Sequence, residues 1–600
     1  MSDERLLGGV GVSPGVAIGP VVVVHWSLPD VPHRVVPASG VAKELKRLRE
    51  AANAVKDALE QLRERTRQRV GPEEARIFDA QILMVQDDDF IKSVEALIKE
   101  NQLAAERAFE FKALEMRALW ARSSSDRLRD RLADLSSIQV RMLRHLLGES
   151  VETLLAKTDG AAIIFTRELT PGLTIQFDRD QVAGFASVEG TRASHAAILA
   201  RSLGIPCVMG LVNGLERVKA GTEVILDGTQ GTLLLAPTKE EMREARGRER
   251  RRRALERVLT RELGRPAATV DGTAVSLLGN VDLPEELEAA AQQGAEGVGL
   301  VRTEFLVVGR TTLPSEDEQA NYFERLARRF HQQPVVIRSY DLGGDKFPAA
   351  FRPPPEPNPF LGWRAIRVCL DQPEMFMVQL RALLRARLKG DIRLMLPLVI
   401  QVEEVLETKE LLAEAARQLS AQRVPHAKDL PLGVMIETPA AALIADQLAK
   451  HSDFVSVGSN DLTQYTLAVD RGNARLVERF TPLHPAVVRL LHHVITAADA
   501  AGIPASVCGE MASDPISAFL LLGLGYRTLS VAPPALPLLR WLVRQVDLKG
   551  ARKAAMTALE GTSTAAITAA LNKGIAEYVN LRVLEAGRLP RARRQTSFKP

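Results

Sequence analysis

The chain opens on short apolar runs of strand character. Val10 to Val24 reads as two strands around the turn Ser13-Pro14-Gly15, because Pro and Gly there interrupt β-branched residues. Such strands need a partner sheet. From Ala42 to about Leu147 the apolar positions fall three or four apart, as at Leu45, Leu48, Ala52, Val55, Leu59 and Leu62, and this period predicts helices. Gly71-Pro72 breaks the pattern, and Ile77, Ile82, Leu83 and Val85 resume it. Strand signals return at Ala161 to Thr166 and Val182 to Val188, followed by a predicted helix from His195 to Leu203 and a strand at Val224 to Leu226. The pattern predicts an α/β domain over 1–30 and 148–238, interrupted by a helical insert over 31–147.

The second half of the chain is more regular. Apolar strand-like runs begin near Val275, Val298, Val335, Ile392, Leu432, Phe454, Ala505 and Thr528, with helical stretches between them. Strands alternating with helices imply a parallel sheet, and eight such units in this length match a closed (β/α)₈ barrel, here over 267–582. An open doubly wound sheet is the alternative. No G-x-x-x-x-G-K-[ST] loop occurs and no G-x-G-x-x-G follows a strand, so the common nucleotide-binding fingerprints are missing.

Composition narrows the picture without deciding it. Six hundred residues exceed what one core supports, and 78 basic residues nearly balance 74 acidic ones, so no global field selects nucleic acid or a membrane surface. Three cysteines, Cys207, Cys369 and Cys508, lack any Cys-x-x-Cys spacing, which fits a reducing cytoplasm. Neither a signal peptide nor a membrane span is expected. Between the two halves, Arg243, Arg246, Arg248 and Arg250 to Arg253 are interleaved with Glu240, Glu241, Glu244 and Glu249. Without aromatic interleaving, this reads as a solvated linker helix over 239–266 rather than an RNA-binding patch. The basic tail, 583–600, is expected to be disordered.

Chemistry concentrates where the predicted barrel strands end. The second run ends in Arg302-Thr303-Glu304, the third in Arg338-Ser339-Tyr340-Asp341, the fifth in Glu437-Thr438, the sixth in Ser459-Asn460-Asp461 and the seventh in Cys508-Gly509-Glu510. A barrel places such positions at one mouth. Arg302 and Arg338, with Arg471 shortly beyond the sixth run, offer forked donors suited to phosphate and carboxylate oxygens. Glu437 and Asp461 are hard oxygen ligands that suit Mg²⁺ shared with a substrate phosphate. The alternative, mutual salt bridging across the rim, fits one such pair better than charged groups at five strand ends. Cys508 is open to two readings, a small buried apolar residue or a proton-transfer group. His195 follows a Gly-containing turn at the start of a helix, where backbone amides and the helix dipole favour a phosphoryl group on the ring. Taken alone, that signal suits a structural histidine better.

These residues resemble one family across nearly the whole chain: Enzyme I of the bacterial phosphoenolpyruvate-dependent phosphotransferase system. DFVSVGSNDLTQYTLAVDR (453–471) resembles the family signature for the phosphoenolpyruvate site, supported by GVGLVRTEFL (297–306), DLGGDK (341–346), NPFLGWRAIR (358–367), VMIETPAA (434–441), CGEMA (508–512) and the opening GVSPGVAIG. The resemblance implies a swivelling phosphohistidine α/β domain with an inserted helical bundle, followed by a (β/α)₈ barrel. It makes His195 the phosphorylated residue, Glu437 and Asp461 the Mg²⁺ ligands, Arg302, Arg338, Asn460, Asp461 and Arg471 the phosphoenolpyruvate contacts, and Cys508 the proton donor that yields pyruvate. It also implies delivery of the phosphoryl group to the carrier HPr, docked on the helical insert, and a homodimer associated through the barrels.

Three positions depart from the family pattern. Thr191 and Ala193 stand before His195 where the family carries a small residue and then a Ser, Thr or Asn. Losing one charge-assisted hydrogen bond to phosphate costs on the order of 1.5–3 kcal/mol, which Ser194 is placed to offset. Gln81 stands in the insert where a histidine is usual, so an altered carrier-facing surface is expected. Pyruvate phosphate dikinase and phosphoenolpyruvate synthase share the histidine and barrel but need a nucleotide-binding domain ahead of the histidine, and the segment before His195 is too short for one. A regulatory phosphorelay differs in its acceptor rather than in autophosphorylation.

Overall fold

The computed structural model describes residues 5–24, 28–69, 75, 77–121, 132–148, 161–169, 174, 182–190, 195–211, 214–282, 284, 286–307, 310, 312–343, 356–470, 473, 476, 479–581 and 583–584. The chain divides into two compact units between Arg250 and Arg251, inside the helix Lys239–Glu262. Of the linker expected over 239–266, residues 239–262 form one continuous helix, and the division falls within it. Its first half is tied down rather than free: Glu249 accepts the Val16 N–H at 3.0 Å, and Glu241 and Asp227 pair with Arg5 and Arg248. The basic tail lies outside the described residues.

The first unit contains a mixed sheet. Its strands are β1 (Leu6–Gly8), β2 (Val10–Ser13), β3 (Val16–Val24), β4 (Ala162–Glu168), β5 (Val182–Glu189), β6 (Cys207–Met209), β7 (Glu223–Asp227) and β8 (Thr232–Leu235), in the order β1-β8-β7-β3-β4-β5-β6-β2. The short strands β1, β6 and β8 carry too few residues to show a period in sequence. Helices Val41–Arg69, Ile77–Val85, Asp88–Asn101, Ala105–Ala121 and Leu132–Leu147 form the insert, with Leu48, Leu59, Phe78, Val94, Ile98 and Phe109 at its core. The helix His195–Ser202 buries Ala196, Ala197 and Ala200 against the sheet, while its Leu199 enters the core of the insert. Apolar contacts therefore fix this helix on two faces, and His195 is its first residue.

Gln81 does not change an exposed surface as expected. Its side chain is buried, and Nε2 donates to Asp134 Oδ1 at 2.9 Å, linking two insert helices. Position 81 follows Phe78 by three residues and precedes Val85 by four, so it shares their inward stripe.

The second unit is a closed parallel barrel. Strands β9 (Ser276–Val281), β10 (Val298–Val301), β11 (Val335–Arg338), β12 (Ile392–Leu396), β13 (Leu432–Ile436), β14 (Phe454–Gly458), β15 (Ala505–Cys508) and β16 (Thr528–Val531) pair in sequence order, and β16 closes on β9. Closure excludes the open doubly wound sheet. Strand parity divides the apolar residues into two clusters. Ile337, Leu394, Val434, Ile436, Val455, Val457, Val507 and Leu529 face outward into the layer beneath the helices. Leu300, Val336, Met395, Met435, Phe454 and Cys508 form a separate cluster inside the barrel. Gly433 makes room for it, since a Cβ there would come within 2.4 Å of the Phe454 ring.

Candidate active site at the barrel mouth

Parity carries the inward set upward from apolar to charged. On β11 the inward residues are Val336 and then Arg338, on β13 Met435 and then Glu437, on β14 Phe454, Ser456 and then Gly458, and on β15 Ser506 and then Cys508. The barrel floor is therefore oily and its C-terminal rim polar. Charged side chains at this depth require partners.

Arg338 finds them in Glu304, to which it is ion-paired, and in Asp341 at 3.2 Å. Burial alone would weaken its charge, but the carboxylates of Glu304, Asp341, Glu437 and Asp461 outweigh burial and hold its pKa above the ordinary value. Arg364 grips Asp341 through Nη2 at 2.7 Å to both oxygens and through Nε at 3.0 Å. Its Nη1 donates to the Tyr465 hydroxyl at 3.2 Å, and that hydroxyl donates to the Phe360 carbonyl at 2.6 Å. Burial opposes the charge on Arg364 too, and Asp341 restores it above its usual range. Two guanidiniums thus share one aspartate. Arg302, half-exposed, reaches Asp282 at 2.6 Å.

Glu437 is buried, and its Oε1 accepts the Leu398 N–H at 2.6 Å. Leu398 adopts φ 58°, a left-handed conformation costly for a branched side chain, and this turns its N–H to the carboxylate. Burial first, and then the Asp461 carboxylate, push the Glu437 pKa well above the usual carboxylate range, while Arg338 pulls it down. Two carboxylates that resist joint ionisation are a ready site for a divalent cation. Among the described residues, no group of three or more His, Cys, Asp or Glu could hold a metal.

Asp461 and Asn460 lie in the first turn of the helix Ser459–Leu467, which starts directly at the end of β14. Asn460 Oδ1 accepts the Glu510 N–H at 3.3 Å, joining the helix that follows β14 to the segment that follows β15. Gly509 lets them meet: its φ is 126°, and a Cβ there would lie 2.4 Å from Ser459 Oγ. Cys508 is buried, its Sγ accepting from Ser456 Oγ at 3.4 Å and facing the Val457 carbonyl at 3.6 Å. Burial pushes the thiol pKa up to about 11, with Ser456 pulling it down, Glu437 raising it, and Arg338 and Arg302 lowering it. The thiol is therefore protonated at neutral pH, within the field of the charged rim.

Of the residues singled out in the sequence, Arg302, Arg338, Glu437, Asn460, Asp461 and Cys508 stand at strand ends of this one barrel. His195 belongs to the first unit. Arg471, Thr191, Ala193 and Ser194 lie outside the described residues. The structure adds Glu304, Asp341, Arg364, Tyr465 and Ser456 to the site. Glu304 and Asp341 were visible as charges ending apolar runs, whereas Arg364 and Tyr465 had no signal beyond their motif blocks.

Comparison with known proteins decides the family. Models of the PEP-utilising enzyme N-terminal, mobile and PEP-binding domains match residues 8–131, 158–231 and 257–548. The phosphoenolpyruvate-protein phosphotransferase of Geobacillus stearothermophilus is 37% identical over 529 residues, covering 88% of this chain and 91% of that protein. The chain belongs to the phosphoenolpyruvate-protein phosphotransferase family. The phosphotransferase of the same name from Bacillus sp. (strain S) is 36% identical, covering 93% of this chain and 96% of its own length. The NMR solution structure of an Enzyme I protein is 31% identical and covers 41% of this phosphotransferase and 98% of itself, with a TM-score of 0.35. No helix among the described residues is long and apolar enough to cross a membrane.

Proposed function

We propose that this phosphotransferase binds phosphoenolpyruvate at the barrel mouth, transfers its phosphoryl group to His195, and passes it on to an HPr-like carrier. The observation that carries the reading is the conjunction at one rim of Arg338, the Glu437–Asp461 pair and the protonated Cys508 thiol. Arg302, Arg338 and Arg471 clamp the phosphate and carboxylate oxygens, with Asn460 as a further polar contact. Glu437 and Asp461 hold Mg²⁺, which when bound neutralises charge developing on the transferring phosphoryl group. The His195 imidazole attacks phosphorus, and the pair of electrons from the broken P–O bond becomes that of enolpyruvate. Cys508 then protonates the enolate carbon, giving pyruvate. A raised thiol pKa suits a group that must carry its proton at neutral pH. The carrier docks on the helical insert, the active form is a homodimer through the barrels, and the compartment is the cytoplasm.

Chain incubated with labelled phosphoenolpyruvate and Mg²⁺ should acquire an acid-labile label and hand it to a carrier, while a chelator should reduce labelling to background. An acid-stable label, or none, would overturn the reading. Cys508→Ala is expected to slow turnover by about a hundredfold or more while phosphoenolpyruvate binding stays within about twofold, since one proton-transfer group is worth roughly that much. Unfolding of this variant, rather than slow turnover, would make Cys508 a core residue only.

A further inference from the structure

Ser456 has no place in the mechanism above, yet its hydroxyl donates a hydrogen bond to the Cys508 sulfur. Both residues are almost fully buried, and they face inward from adjacent strands, where Gly458 pairs with Cys508 and Ser456 with Ser506. Around Cys508 the interior cluster is apolar: Leu300, Val336, Met395, Met435 and Phe454. A thiolate formed there meets no solvent. Ser456 Oγ, 3.4 Å from Sγ with its hydroxyl donating, is the side chain hydrogen-bonded to the sulfur on which the charge would form, with Arg338 and Arg302 acting from the rim, while the thiol itself faces the Val457 carbonyl at 3.6 Å.

We propose that Ser456 is a positioning residue for the Cys508 proton donor, a role that rests on the assignment of Cys508 above. As the enolate carbon is protonated, the π pair of enolpyruvate forms the new C–H bond, the S–H bond breaks, and its electron pair stays on sulfur. Ser456 keeps its hydrogen bond throughout and strengthens it as the acceptor becomes anionic. The same bond fixes the sulfur's rotamer, so the thiol proton turns from the Val457 carbonyl to the mouth without moving Sγ.

The full chain, incubated at equilibrium with pyruvate, phosphoenolpyruvate and Mg²⁺ in D₂O, reports the proton step as loss of the pyruvate methyl signal in proton NMR. Ser456→Ala is expected to slow this exchange about ten- to a hundredfold, the range for one hydrogen bond to a charged acceptor. KM for phosphoenolpyruvate should change less than about twofold, and Ser456→Thr, which keeps the hydroxyl, should recover most of the rate. In a Cys508→Ala background, Ser456→Ala should add nothing, because the serine acts only through the thiol. Exchange in Ser456→Ala at the wild-type rate overturns the inference, and so does an independent loss in the Cys508→Ala background. A misfolded Ser456→Ala, seen by thermal melting, passes the decision to Ser456→Thr against Ser456→Cys. Equal rates in that pair overturn the inference; a slower cysteine variant, with its weaker donor, supports it. Full exchange in Cys508→Ala would instead remove the proton-donor reading itself.

Discussion

His195→Ala is expected to eliminate the acid-labile label formed from phosphoenolpyruvate. The loss should be at least roughly a thousandfold, the scale on which removing a covalent nucleophile acts when no neighbour substitutes for it. An imidazole nitrogen attacks phosphorus and forms a high-energy bond from which the phosphoryl group leaves again, properties that neither alanine nor a nearby hydroxyl supplies. His195 lies in the first unit and the barrel residues in the second, so phosphoenolpyruvate binding by the variant, followed by calorimetry, should remain within about twofold of wild type if the reading of uniform against reaction-specific binding holds. Ala196, Ala197 and Leu199 hold the helix by their own burial, so thermal stability should change little. Label that survives His195→Ala would move the acceptor elsewhere and sink the assignment. Loss of phosphoenolpyruvate binding along with label would point to misfolding.

What the sequence disclosed follows from the range of the interactions involved. Each barrel strand announced itself, because strands buried on both faces are short continuous apolar runs and the helices between them have a different period. The residues that end those runs were equally visible, since a charge directly after Val301, Ile337 or Ile436 breaks the run. Pairing was not legible. Arg338 meets Glu304 across 34 residues, and Glu437 reaches the Leu398 N–H across 39, contacts that exist only after the barrel closes. Arg364 is harder still, because it sits on no strand and reaches Asp341 from the segment preceding the helix Ile366–Asp371. Ser456 was one more small residue in an apolar run until parity turned it inward beside Cys508. Gln81 shows the opposite failure: a motif departure drew attention to a surface, whereas helical phase buries the side chain against Asp134.

Arg338→Met should cost both stability and turnover, with a pH dependence that reports the cause. The wild-type guanidinium is buried between Glu304 and Asp341. Methionine fills similar volume but leaves those carboxylates without their cation, and breaking a buried pair from one side typically costs about 3–5 kcal/mol. Glu437 sets the sign. Its pKa is already raised in the folded state, and Arg338 is among the groups holding it down, so the substitution lifts it further. A carboxylate raised on folding contributes stability that is fully present below its unfolded value of about 4.5 and is lost as pH climbs through the folded value. Below the wild-type folded pKa of about 8 both folded proteins keep this proton, so the Glu437 part of the gap between wild type and Arg338→Met should be constant there and change only at higher pH, as followed by urea melts of metal-free protein from mildly acidic to alkaline pH. Arg338→Lys separates charge from geometry: it should recover most of the stability but not the forked contact, leaving turnover reduced by about tenfold or more. A stability gap that stays constant with pH would mean that lost packing, not the stranded carboxylates, accounts for the defect. An Arg338→Met protein that still forms the label at the wild-type rate would remove Arg338 from the phosphoenolpyruvate site altogether.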